Sequence, residues 1–304
     1  MLPTTRGLIL AFAGVLIITP DTLLVRLMQI DTWPLLFYRG LGMAAGVGVY
    51  TLLRGRKSLG KRLRALGLIG IATAVCFSTA NMLFVNAVMR TSVANTLAII
   101  STAPIWGALL SAVVLRERLP LRTWLAVVLA ALCVVVIVSG DLGGAGSHLT
   151  GDIVALTQSV FMSLGFVLIR SRPDVEMVPC MVLSGCITAT VSFFSAGSLA
   201  VMPQDVGLLL VLCLVVLPCS FLCLLNAPRY IPAPEVNMIL LLEMILAPIL
   251  VWAAVGETVS RTTLAGGVGL FAVLLIHSLL AMHANGKKRG HAVRVGEASV
   301  TTTE

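Results

Sequence analysis

The chain has 304 residues, 58% of them hydrophobic and 11% charged, with a mean hydropathy of +1.04 and a formal net charge of +8. Soluble domains carry about 25% charged residues, so this composition excludes an ordinary soluble protein. A membrane-spanning helix uses about 20 apolar residues, so about ten spans with short loops fill the chain and leave no room for a sizeable soluble domain.

Apolar runs bounded by charges or Gly/Pro clusters fall at 8–27, 35–53, 66–88, 93–115 and 124–138. The first continues well past the Ala11-Phe12-Ala13 triplet, so it reads as a span and not as a cleaved leader. A Gly-rich stretch at 140–151 follows, and five more runs come at 153–169, 178–201, 206–225, 236–255 and 264–282. The residues after Met282 are polar and are expected to be a disordered cytoplasmic tail at 284–304. The seven cysteines all lie within apolar runs and form no CxxC pair, so they read as small packing residues.

With the N-terminus inside, 17 of the 21 Lys and Arg residues fall on the cytoplasmic side, six of them between Arg54 and Arg64. The opposite loops hold only Arg26, Arg90 and Arg261, and Arg39 lies within a span. Positive charge resists translocation, so both termini are expected in the cytoplasm. The basic balance therefore reports orientation and not a nucleic-acid partner.

Shifting the chain by 140 residues sets Asn86-Ala87 on Asn226-Ala227, Glu117 on Glu257, Thr123 on Thr263 and Val128 on Val268. Nearer the start, a shift of 144 sets Gly7 on Gly151 and Arg26 on Arg170. Each half has five spans, an odd number, so the second half enters the bilayer from the opposite side. The expected fold is an all-α integral membrane protein of ten helices arranged as two inverted five-helix repeats. The repeats are expected at 1–140 and 152–283, joined by a linker at 141–151. Such repeats are common in secondary transporters, with the binding site near the midplane between halves.

The second span opens with Phe37-Tyr38-Arg39, and the fourth ends in Val114-Leu115-Arg116-Glu117-Arg118-Leu119 with Trp124 downstream. The second copy has Leu241-Leu242-Glu243-Met244, Ala247-Pro248 and Gly256-Glu257. In these features the chain resembles the drug/metabolite transporter superfamily, in its ten-helix branch with two EamA-type domains. Two departures stand out: Arg116 occupies a usual glycine position, and Met244 one where proline is common. The resemblance implies a basket of ten helices around a central cavity, with no ATPase. Known members export amino acids and other metabolites, while some take up riboflavin or S-adenosylmethionine. It therefore implies a secondary-active exporter of a small metabolite in the cytoplasmic membrane, working by rocking one five-helix half against the other. Import or exchange, of the vitamin or S-adenosylmethionine type, is the alternative, and a membrane-embedded enzyme or a non-transporting scaffold is the rival from another class.

No phosphate-binding Gly-x-x-x-x-Gly-Lys-Ser/Thr loop, Gly-x-Ser-x-Gly elbow or His spacing suited to a metal occurs, so neither an enzyme nor a cofactor is expected. What remains is a set of polar groups at membrane depth, where charge is costly and usually functional. Asp21 and Arg39 both lie roughly 8–9 Å below the outer surface at about 1.5 Å per residue, so an ion pair or shared polar cluster is expected. Glu243 is placed near the midplane, and its counterpart across the repeat is Ala103. There it either carries a proton or holds a substrate ammonium group, with a structural role, bonding the backbone freed by Pro248 or Pro104, as the competing view. Asn81, Asn86, Asn226, Asn237, Gln158 and Trp106 complete the candidate pathway, although helix-to-helix bonding serves equally for any one amide. Gly40, Gly42, Gly46 and Gly48 form a small-residue stripe suited to close packing within a monomer, with a homodimer seam as the alternative.

Overall fold

The computed structural model describes residues 3–54, 59–116, 121–139, 149–172, 175–227, 230–231, 233–256, 259–277 and 279–280. The tail at 284–304, Glu117, Arg118, Leu119, Glu257 and most of the 140–151 stretch lie outside them. Among the described residues all regular structure is helical. Six helices are long and apolar enough to cross a membrane, and four shorter apolar helices complete the set.

In chain order, span 1 is α1 (Pro3–Ile18) and α2 (Asp21–Leu27), and span 2 is α3 (Thr32–Arg54). The short α4 (Leu59–Ala65) leads into span 3, α5 (Gly67–Arg90). Span 4 is α6 (Val93–Ile100) and α7 (Ala103–Val114), and span 5 is α8 (Leu121–Ser139). Spans 6 and 7 are α9 (Leu149–Arg170) and α10 (Cys180–Ser195). Span 8 contains α11 (Pro203–Leu210), a π-helical stretch (Val211–Val216) and α12 (Leu217–Asn226). Span 9 is α13 (Ala233–Val255), and span 10 is α14 (Arg261–His277). Leucine, valine and phenylalanine side chains such as Leu53, Leu68, Val113 and Phe194 stand exposed on the outside, as a lipid-facing surface requires.

Three spans are interrupted, each for a local reason. Pro20 supplies no N–H, so the helix of span 1 stops at Thr19, whose hydroxyl and amide both bond Val15 O, and restarts at Asp21. Span 4 breaks at Ser101-Thr102 just before Pro104, and Thr102 Oγ1 bonds Ile99 O at 2.6 Å. Span 8 widens to a π-helical stretch immediately before Pro218, whose ring would clash with a normal α-turn.

Packing follows the inverted symmetry. Span 3 packs against span 6 and, as its mate, span 8 against span 1. Span 4 packs against span 6, and span 9 against span 1. Each half therefore lends its first span to the other, which makes two packed bundles, spans 1, 8 and 9 and spans 3, 4 and 6. A sequence half is thus not a packing unit here.

Spans 2 and 7 cross where the symmetry axis runs. A Cβ on Gly185 would sit 2.6 Å from Gly40 O, and one on Gly40 2.7 Å from Ala189 N, so both glycines are fixed by backbone contact. Farther along the stripe, Gly42 receives the Cys213 carbonyl and Gly46 the Pro218 ring, while Gly48 meets open space. Three of the four glycines are thus occupied inside the molecule.

The repeat is also visible in single residues. Asn86 donates to Met82 O at 2.8 Å, and Asn226, 140 residues on, donates to Leu222 O at 2.7 Å. Arg116 ends α7 with φ 56, and its mate Gly256 ends α13 with φ 75. The same left-handed helix end is built once from glycine and once from arginine.

Candidate functional site

The interruption in span 1 places Asp21 at the first position of α2, within the membrane and buried. Arg39, two turns into α3, meets it as a two-point ion pair: Nη1 donates to Oδ1, and Nη2 to Oδ2 at 3.0 Å. Asp21 is 3% exposed and Arg39 2%. Nη2 also donates to Asn81 Oδ1 on α5 at 3.5 Å, and the guanidinium lies 5.6 Å from the Phe84 ring centre. Arg39 Nε is buried with no hydrogen-bond partner among the described residues. The pair sits within the largest apolar cluster, among Val25, Leu35, Leu36, Val85, Leu212 and Cys213. Two bonds to one carboxylate let both charges persist where an unpaired one would cost several kcal/mol, on the order of 3–5.

Glu243 lies on α13, which packs against α1, α2 and α6. It is partly buried, and among the described residues its carboxylate has no hydrogen-bond or ion-pair partner. The next residue, Met244, accepts from Ser101 Oγ at 3.2 Å through Sδ, so this turn of α13 lies against the break in span 4. Pro248 stands inside α13 and leaves the Met244 carbonyl without its helical donor. A carboxylate therefore sits beside two interrupted stretches of backbone, on the helix that flanks the span carrying Asp21.

The other candidates divide. Asn81 joins the ion pair, whereas Asn226 is buried and spends its amide on its own helix. Gln158 is buried on α9 with Oε1 unpartnered among the described residues. Trp106 is partly buried on α7, just past the break. Asn237 lies on α13, with its side chain outside the described set. Asn86 belongs to a second place, a cavity of about 540 Å³ on the face opposite the termini, which Asp31, Trp33, Arg90 and Ser198 also line.

Polar contacts that the sequence does not single out cluster on that same face. Arg26 Nη2 donates to Thr91 O at 2.6 Å, Thr91 Oγ1 to Asp152 Oδ1 at 2.9 Å, and Thr263 Oγ1 to Asn95 Oδ1. Only the repeat offered a signal, by aligning Arg26 with Arg170 and Thr263 with Thr123. On the face of the termini, Thr123 lies 3.3 Å from His277, and Arg62 pairs with Glu176. Among the described residues no group of His, Cys, Asp and Glu could hold a metal ion.

Comparison with known proteins agrees with this architecture. The model of a family described as the EamA-like transporter family matches residues 5–139 and 149–279. Among curated proteins nothing matches the chain. One solved crystal structure superposes with a TM-score of 0.64 at 16% identity, over 91% of this chain and 98% of its own. At that identity the likeness shows the fold alone.

Proposed function

Because the chain belongs to the EamA-like transporter family, we propose that it exports a small organic metabolite, amino-acid-like or related, across the cytoplasmic membrane by secondary-active transport. In this reading both termini are cytoplasmic, the protein works as a monomer in the bilayer, and no nucleic acid takes part. The moving bodies are the two swapped bundles, which slide along the seam between spans 2 and 7.

The observation that carries the reading is the contrast between two kinds of intramembrane charge. Asp21 and Arg39 neutralise each other, as structural charges at this depth must. Glu243 has no partner among the described residues, so a proton or a substrate ammonium group is what would balance it. A carboxylate that must be balanced by something that comes and goes is suited to coupling. The occupation of Gly40, Gly42 and Gly46 inside the chain supports the monomer.

The test is flux in proteoliposomes, screened over radiolabelled amino acids, vitamins and nucleoside-like compounds. The reading expects at least one compound to move faster than through empty liposomes, with a rate that responds to a pH gradient or to the substrate's own charge. Equal rates with and without protein across the panel would overturn it. Driving the same flux in both orientations separates export from import and exchange.

A further inference from the structure

Arg26 ends α2 on the face opposite the termini, and its Nη2 bond to the Thr91 carbonyl reaches the turn between α5 and α6. Span 1 belongs to one bundle and that turn to the other, so this hydrogen bond crosses the seam between them. The turn is held from several sides. Thr91 Oγ1 bonds Asp152, Ser92 Oγ accepts from Asn95 N at 3.1 Å, and Thr263 bonds Asn95. Gly151 is pressed against it so closely that a Cβ there would lie 2.8 Å from Thr91 Cβ. The acceptor is therefore fixed in place before the guanidinium arrives.

The other face repeats the construction. The 140 shift carries Arg90-Thr91 to Tyr230-Ile231, in the turn between α12 and α13, and the 144 shift carries Gly151 to Gly7. Gly7 is pressed against that turn in the same way: a Cβ would lie 2.6 Å from Ile231 Cγ2 and 2.8 Å from Tyr230 Cβ. The same shift carries Arg26 to Arg170, at the end of α9 and exposed. Each face thus has a glycine-seated turn and an arginine at the end of a first span.

We infer that Arg26 and Arg170 are reciprocal latches, each binding the turn of its own face across the bundle seam when that face is closed. In this structure Arg26 is seated on Thr91. Losing a hydrogen bond from a charged donor shifts a two-state ratio by about ten-fold or more. The inference rests on the transport reading only in taking the two faces to alternate.

The test is pulsed electron–electron distance measurement on spin-labelled protein in nanodiscs, in a background with the seven cysteines replaced. Labels at Gln29 and Thr150 report the face opposite the termini, and labels at Thr5 and Arg172 report the other. Arg26→Gln should lengthen the first distance and shorten the second, each population ratio moving about ten-fold. Arg170→Gln should move both the opposite way. Arg26→Lys, which keeps the charge and loses the planar fork, should lie between and reads the effect if Arg26→Gln does not fold. Unchanged distances in Arg26→Gln and Arg26→Lys, or shifts in the same direction for Arg26 and Arg170 variants, would overturn the latches. No substrate is needed, so reciprocal shifts in a protein without flux would sink the transport reading and leave the latches standing.

Discussion

Removing Arg39 tests the physics of the buried pair most directly. Arg39→Ala leaves the Asp21 carboxylate at 3% exposure, without the two guanidinium bonds it has now. Breaking a buried pair from one side costs about 3–5 kcal/mol, most of it the uncompensated charge. The Asn81 bond at 3.5 Å is long and adds little. The Phe84 contact adds about 1 kcal/mol. Adding Asp21→Asn removes the stranded charge, so the double variant should recover most of the loss and stand within about 1–2 kcal/mol of the parent. Unfolding by sodium dodecyl sulfate in mixed micelles, read by tryptophan fluorescence across the four-member cycle, measures this coupling. A double variant no more stable than Arg39→Ala would refute the reasoning, as would a single variant that costs less than about 1 kcal/mol.

Arg116→Gly should stabilise the protein by about 1 kcal/mol, because φ 56 is strained for arginine and free for the glycine that its mate Gly256 already is. An unchanged or shortened half-life at elevated temperature would count against that helix end. For topology, Gly60→Cys and Thr150→Cys in the cysteine-free background should react with an impermeant maleimide from opposite sides, Gly60→Cys only after permeabilisation. Reaction of both in intact cells would rule out the proposed orientation.

Much of the fold was legible because bilayer physics is one-dimensional: apolar length sets the spans, and the 140 and 144 shifts expose the repeat. The exchange of spans 1 and 6 between bundles was not, since alignment relates residues that correspond and says nothing of which ones touch. Local breaks were partly legible. Pro20, Pro104 and Pro218 stand at all three, but the π-helical stretch also depends on Gly42 and Gly46 clearing room on α3. Asp21 and Arg39 could be linked from sequence because an unpaired charge at shared depth is costly and each had one obvious opposite. Asn81 and Asn86, five residues apart on α5, could not be told apart. One turns to the ion pair and the other to the cavity on the face opposite the termini. The Arg26–Thr91 bond was invisible because its acceptor is backbone, which every residue carries.

In the proposed transport cycle Glu243 is the carboxylate whose balance changes. Glu243→Gln keeps shape and hydrogen bonding while removing the charge. The decisive measurement is flux of the identified substrate in proteoliposomes containing this variant, over a range of pH and alongside the parent protein. The variant should fold normally and lose most of its flux, or keep flux and lose its dependence on pH. Full flux with the parent's pH profile would contradict that role for Glu243.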